Sequence, residues 1–135
     1  MPTDLAQKLG IQPGQTIALV GAPEGYARSL EKMAPGIHIS RSREGPLDFI
    51  QLFARSRSEL EKSFPGLAGK LSDSGMIWVS WPKRSSGIES DLGEHAVRET
   101  GLAAGLVDVK VVSVDEKWAA LKFVFRLKDR AAHNE

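Results

Sequence analysis

Apolar residues along this chain fall into two kinds of pattern, and their alternation predicts the architecture. Thr16-Ile-Ala-Leu-Val-Gly21, Leu47-Asp-Phe-Ile-Gln-Leu-Phe53 and Met76-Ile-Trp-Val-Ser-Trp81 are short, nearly continuous apolar runs rich in β-branched and aromatic residues, the pattern of buried strands. Gly75 and Pro82 bound the last run, since proline cannot donate to a strand ladder. Between these runs the spacing turns helical. Asp4 to Leu9 predicts a short helix with Thr3 or Asp4 as its cap and Gly10 beyond its end. Gln12-Pro-Gly-Gln15 predicts a type II turn, and a helix follows from about Tyr26 to Met33, ended by Ala34-Pro-Gly36 and followed by the brief strand Ile37–Ile39.

Further on, Glu44-Gly-Pro46 turns the chain into the Leu47 strand. Ser56 and Ser58 each precede a glutamate by three positions (Glu59 and Glu61), a doubled capping-box signal. The helix they open carries Leu60, Phe64, Leu67 and Leu71 at helical spacing, and Pro65-Gly66 is expected to kink or split it. Asp91 with Glu94 predicts the start of another helix running to Ala104, with Gly105 past its end. Leu106–Val114 and Leu121–Leu127 predict two strands joined antiparallel through the short link Asp115-Glu-Lys-Trp-Ala119.

Strands that alternate with helices and are apolar on both faces predict an α/β fold. The expected form is a three-layer sandwich around a mostly parallel sheet of about six strands, with a C-terminal antiparallel hairpin. A single Rossmann-like domain is expected over residues 1–128, with a polar tail at 129–135. The formal net charge of +1 gives no global pull toward nucleic acid or membrane, so electrostatic recognition has to be local. The chain has no cysteine, which excludes disulfides, thiolate catalysis and cysteine-ligated metal. No secretory leader or membrane-spanning run is seen, so a cytoplasmic location is expected. His38, His95 and His133 lack partners at ligand spacing, and no metal site is expected.

The candidate chemistry gathers where strands end. In open parallel sheets, ligands bind outside the carboxyl ends of the strands near the switch in strand order. Three strands here end in paired cations: Arg41 and Arg43, Arg55 and Arg57, Lys83 and Arg84. Ser85 and Ser86 lie among them as hydroxyl donors, and free N–H groups at the helix starts after Ser58 and Asp91 would add anion affinity. This border reads as a receptor for an anionic small molecule or an acidic macromolecule, or else as solvated loops. Gly21-Ala-Pro-Glu-Gly25 is a phosphate cradle or a tight strand-to-helix corner. Trp78 and Trp81, three apart on a strand, must face opposite sides of the sheet, with Trp78 expected in the core and Trp81 in the core or as one wall of the cleft. Trp118, in the hairpin link, is expected to be more exposed, covering the sheet edge or anchoring a partner. Asp48 is expected to cap, or to pair with Lys83, Arg84 or Lys122.

The order of elements, with Val20-Gly-Ala-Pro-Glu-Gly25 after the first strand, Leu47-Asp48-Phe-Ile as an aspartate-led strand and Leu71-Ser-Asp-Ser-Gly75 before the central one, resembles the S-adenosylmethionine-dependent methyltransferase branch of Rossmann-like folds, with one strand–helix unit missing. Lys8-Leu-Gly-Ile11, Gly21-Ala-Pro23, Trp78-Val-Ser-Trp-Pro-Lys83, Asp108-Val-Lys-Val111 and Val114-Asp-Glu-Lys-Trp118 are similar to a small bacterial family of unknown function with the same trimmed layout. The resemblance implies the fold and points to an adenosyl or nucleotide cleft formed by Gly21, Gly25 and Trp81. It departs from the methyltransferase pattern at the end of the second strand, where Ser40-Arg-Ser-Arg43 stands in place of a ribose-binding acid. Three functions stay open on the sequence: a non-catalytic module binding an anion at the strand ends, a degenerate adenosyl- or nucleotide-dependent enzyme whose cofactor is unidentified, and a homodimeric scaffold joined through the hairpin around Trp118.

Overall fold

The computed structural model describes residues 4–40 and 45–126. The elements come in the predicted order: α1 (Leu5–Leu9), β1 (Thr16–Val20), α2 (Tyr26–Met33), β2 (His38–Ile39), β3 (Leu47–Phe53), α3 (Arg57–Ala68), β4 (Leu71–Pro82), α4 (Glu94–Ala103), β5 (Leu106–Ser113) and β6 (Trp118–Phe125). A single 3-10 turn at Arg84–Ser86 follows β4. The strands form one six-stranded sheet in the order β2-β1-β3-β4-β6-β5. β1 runs parallel to β2 and β3, and β3 to β4, whereas β6 is antiparallel to both β4 and β5. The expected three-layer α/β sandwich is therefore present.

Each face of the sheet carries its own core. On one, Ala6 and Leu9 of α1 and Leu30 of α2 pack on Ile17, Phe49, Phe53, Trp78 and Ala120. On the other, Leu60, Phe64 and Leu67 of α3 and Val97 of α4 pack on Ile50, Leu52, Ile77, Val79, Trp81, Leu121 and Phe123. Trp78 and Trp81 thus face opposite sides, as strand alternation requires. Trp78 is fully buried, and its indole Nε1–H donates to the Leu9 carbonyl at 3.0 Å, tying α1 to the central strand.

Several local expectations change. β4 begins at Leu71 rather than Met76, so Leu71-Ser-Asp-Ser-Gly75 is an irregular extension of the strand and not a separate turn. A Cβ on Gly75 would lie 2.8 Å from Leu71 Cδ1 and 3.0 Å from the Asp48 carbonyl oxygen, which is why this bulge needs a glycine. Asp48 pairs with none of the cations suggested for it. It lies at the amino end of β3, where its carboxylate accepts from the Thr16 N–H at 2.9 Å, while Lys83 and Arg84 lie past the carboxyl end of β4. The helix α3 runs unbroken through Pro65 to Ala68. Pro65 is on the exposed side, so water can solvate the carbonyl left without a partner. β6 starts at Trp118, three residues before the expected Leu121, because the pairing with β4 extends to Pro82. The expected tail at 129–135 lies outside the described residues.

Candidate functional site

The parallel pairing brings the carboxyl ends of β1, β2, β3 and β4 to one border of the sheet, and the antiparallel β5–β6 turn joins the same border. Strand order reverses beside β1, with β2 on one side and β3 on the other. A hollow of about 810 Å³ opens there, lined by Leu19, Gly21, Gly25, Arg28, Ile39 and Ser40, with Glu24 and Glu31 at its margin.

Its two glycines have different causes. Gly21 has φ 71°, and a Cβ there would meet the Phe53 carbonyl oxygen at 2.7 Å, so this glycine lets the turn close against β3. Gly25 has φ 84° and open space around it, and it serves as the N-cap of α2 without a side-chain cap bond. The Gly21–Gly25 turn is a tight corner whose helix start is not capped by any side chain.

A buried polar chain that the sequence reading did not single out holds this corner. The Tyr26 hydroxyl donates to Gln51 Oε1 at 2.6 Å, and Gln51 Nε2 donates to Ser80 Oγ at 3.1 Å. Gln51 and Ser80 are fully buried in the centre of the sheet. Burial pushes the Tyr26 phenol well above its ordinary range, so it stays protonated and can serve as the donor of this chain. The Tyr26 ring also packs edge-on against Phe53 at 4.9 Å. The available signal was a glutamine and a serine at the middle of strands that are otherwise apolar.

The predicted cationic border is only partly assembled. Arg41 and Arg43 lie outside the described residues. The Arg55 guanidinium sits 5.0 Å over the Trp118 ring. Arg57 turns toward α4, between Glu61 at 3.7 Å and Glu99 at 3.6 Å. Lys83 Nζ donates to Ser113 Oγ at 2.6 Å and to the Asp115 carbonyl at 2.7 Å, locking the β4 end to the hairpin turn. Ser86 Oγ accepts from the Ile88 N–H at 3.0 Å. Arg84 and Ser85 are exposed. Arg55, Lys83 and Arg84 share the border, but Lys83 is committed to its own fold and Arg57 to its own ion pairs.

At the helix starts, two of the first N–H groups of α3 are already taken by side chains, whereas α4 begins without a side-chain cap bond. α3 starts after Ser56, not Ser58. Ser56 Oγ accepts from the Glu59 N–H at 3.1 Å, and Glu59 reaches back to the Arg55 N–H at 3.3 Å. Asp91 does not open α4, whose cap is Gly93. Instead its carboxylate accepts from the Arg57 N–H at 2.8 Å, so it caps the neighbouring helix from a distance in sequence. Replacing Asp91 with alanine is expected to lower stability by about 1 kcal/mol, the usual cost of a lost cap. The check is a shifted urea midpoint at unchanged slope; an unmoved midpoint contradicts the capping role.

Trp81 takes the core place expected for it rather than the cleft wall, and Trp118 departs from expectation. Trp81 is a core residue on the α3–α4 face, bordering a separate hollow of about 650 Å³ with Lys83, Arg84 and Asp91, so it does not join Gly21 and Gly25 in one cleft. Trp118 is only 3% exposed and its ring packs edge-on against Phe53 at 5.1 Å. Its position beneath Arg55 leaves no indole surface for a partner to grip, so the hairpin scaffold has no anchor there. Among the described residues, no cluster of three or more histidines and carboxylates is placed to hold a metal, and no helix is long and apolar enough to cross a membrane.

Residues 6–127 match the family described as "Protein of unknown function (DUF3052)". The chain belongs to that family. No curated protein matches it in sequence. Its fold is similar to solved S-adenosylmethionine-dependent methyltransferases. The tRNA methyltransferase TrmK of B. subtilis is 14% identical, with 97% of this chain and 69% of that chain covered at a TM-score of 0.62. The magnesium protoporphyrin IX methyltransferase of Synechocystis, solved with bound SAH, is 12% identical over 90% of this chain and 80% of that one, at a TM-score of 0.63. The fibrillarin of Aeropyrum pernix, solved with natively bound S-adenosyl-L-methionine, is 15% identical over 89% and 73%, at 0.55. This DUF3052 chain therefore has a methyltransferase-like fold.

Proposed function

We propose that this DUF3052 protein is a non-catalytic binding module that takes an adenosyl-class ligand, S-adenosylmethionine or its demethylated product, in the hollow beside the Gly21–Gly25 turn. The observation that carries this reading is the position of the hollow. It lies at the carboxyl ends of β1 and β2, next to the reversal of strand order where open α/β sheets bind ligands. Its chemistry suits a zwitterion. Arg28 and the uncapped start of α2 favour a carboxylate, and Glu24 and Glu31 favour an ammonium or sulfonium. Two solved proteins of similar fold carry these ligands, which supports the ligand class without fixing it.

What fills the neighbouring ground supports binding without transfer. A methyl acceptor approaching the hollow along this border would cross the ends of β3 and β4. In this protein that approach holds Trp118 edge-on against Phe53, Arg55 over Trp118, and Lys83 tied to the β5–β6 turn. An anionic ligand spread over the whole cationic border is the weaker reading, because Arg57 and Lys83 already have partners.

Titration calorimetry with each of the two ligands is expected to show saturable one-to-one binding at micromolar concentrations. Ala27 is half-buried, on α2, and lines the hollow. Ala27→Phe is expected to abolish the heat of binding while leaving the melting temperature within a few degrees, since it adds bulk on the open side of the helix. Silence with both ligands, or heats that Ala27→Phe leaves unchanged, removes the adenosyl reading.

A further inference from the structure

Helices α1 and α2 cover only part of their face of the sheet. Their core reaches Trp78 on β4 and Ala120 on β6, with Val112 of β5 packed at its margin. On the opposite face, α4 packs on both β5 and β6. Lys122 and Val124 alternate along β6 with Phe123 and Phe125, whose rings belong to the α3–α4 core, so Lys122 and Val124 project from the other side. There no helix covers them among the described residues.

The strip this leaves is apolar with two positive charges in it. Val124 lies opposite Val107 in register, and neither belongs to a core. The register shift between Asp108 and Val111 places Val109 and Lys110 together opposite Lys122. Val109 is 50% exposed, the most exposed of the large apolar residues among those described. The side chains of Lys110 and Lys122 have no hydrogen bond or ion pair among the described residues. Burial, and to a lesser degree Lys110, hold the Lys122 ammonium below its ordinary range, as expected of a cation pressed onto apolar surface without a counter-charge.

We propose that this β5–β6 strip docks an acidic amphipathic helix of a partner protein, with its apolar side chains over Val107, Val109 and Val124 and its carboxylates on Lys110 and Lys122. The sheet buries the rest of this face under helices, and a helix is the layer that would complete it. A second copy of the chain is a poor occupant, because a two-fold interface on the strip sets one positive strip against another. Strand addition along β5 is opposed by the bulge and lysine at its middle, both devices that discourage edge pairing. This proposal is independent of the proposed adenosyl site, which lies by β1 and β2 at the opposite edge of the sheet.

The test is a nuclear magnetic resonance titration of the full chain with a synthetic helical peptide carrying leucines on one face and glutamates flanking them. A second peptide with lysine in place of every glutamate is the control. The acidic peptide is expected to shift the methyl signals of Val107, Val109 and Val124, more weakly as salt rises, and the lysine peptide to leave them still. Lys110→Glu with Lys122→Glu is expected to weaken binding about tenfold or more, and Val109→Lys to do so without reversing the charge of the strip. The proposal is overturned by an acidic peptide that leaves these signals unmoved or shifts signals of α3 and α4 instead. Equal binding of both peptides overturns it, as does concentration-dependent self-association through the same valines. Contacts from residues 127–135 to these valines in the free protein would show the strip already covered, and would also overturn it.

Discussion

Trp78→Ala is expected to lower the unfolding free energy by about 4 kcal/mol, within the range for deleting a large buried aromatic. Trp78 is the largest of the fully buried side chains. It lies at the centre of β4, with β3 on one side and β6 on the other, so no exposed flank can collapse into the space. The loss has a second part. The indole N–H satisfies the Leu9 carbonyl at the end of α1, a group the helix itself cannot pair. Trp78→Phe separates the two parts, since it keeps much of the volume and removes the donor. That variant is expected to cost about 1 to 2 kcal/mol and to increase hydrogen exchange in α1 more than elsewhere. Chemical denaturation of the three proteins decides the matter. An alanine variant that loses less than half the expected amount would mean that α1 and β4 are not coupled as described.

Gly101→Ala is expected to destabilise by about 2 kcal/mol, against the helix-propensity trend, which favours alanine by about 1 kcal/mol. Gly101 is buried inside α4. A Cβ at that position would lie 2.0 Å from Cε1 of Phe123 and 2.4 Å from its Cζ. The ring has no room to retreat, because Phe123 is itself fully buried and packs edge-on against Phe64 at 5.7 Å. The glycine is what allows α4 to approach β6 closely. Combining Gly101→Ala with Phe123→Leu should restore part of the loss, giving a coupling in the double-mutant cycle that distant sites do not show. A stabilised Gly101→Ala variant would refute the close packing of α4 on β6.

The hollow beside the Gly21–Gly25 turn and the uncovered β5–β6 strip differ in how far they were legible from the letters. The Gly21–Gly25 turn could be read because a glycine pair between a buried strand and a helix has few other uses. The cationic border was legible only in part, since side-chain commitment is not written in sequence. Lys83 looked free and is locked to Ser113 and Asp115, and Arg57 faces two glutamates, one of them 42 positions away. Asp91 shows the same gap. Its spacing to Glu94 matches a capping box, yet its carboxylate caps α3, because the loop after β4 swings it onto the neighbouring helix. Trp118 looked exposed because hairpin links usually are. It is buried because β6 continues to Trp118 opposite Pro82, which places the indole on Phe53.

What the chain determined by itself was the order and type of its elements and the sides that Trp78 and Trp81 face, since these rest on local period and on alternation along one strand. Only the tertiary structure decided which charges are spoken for, which polar residues meet inside the sheet, and which stretch of sheet is left without a helix. Those outcomes depend on side chains brought together from distant positions, and a contact between segments leaves no periodic trace in either of them.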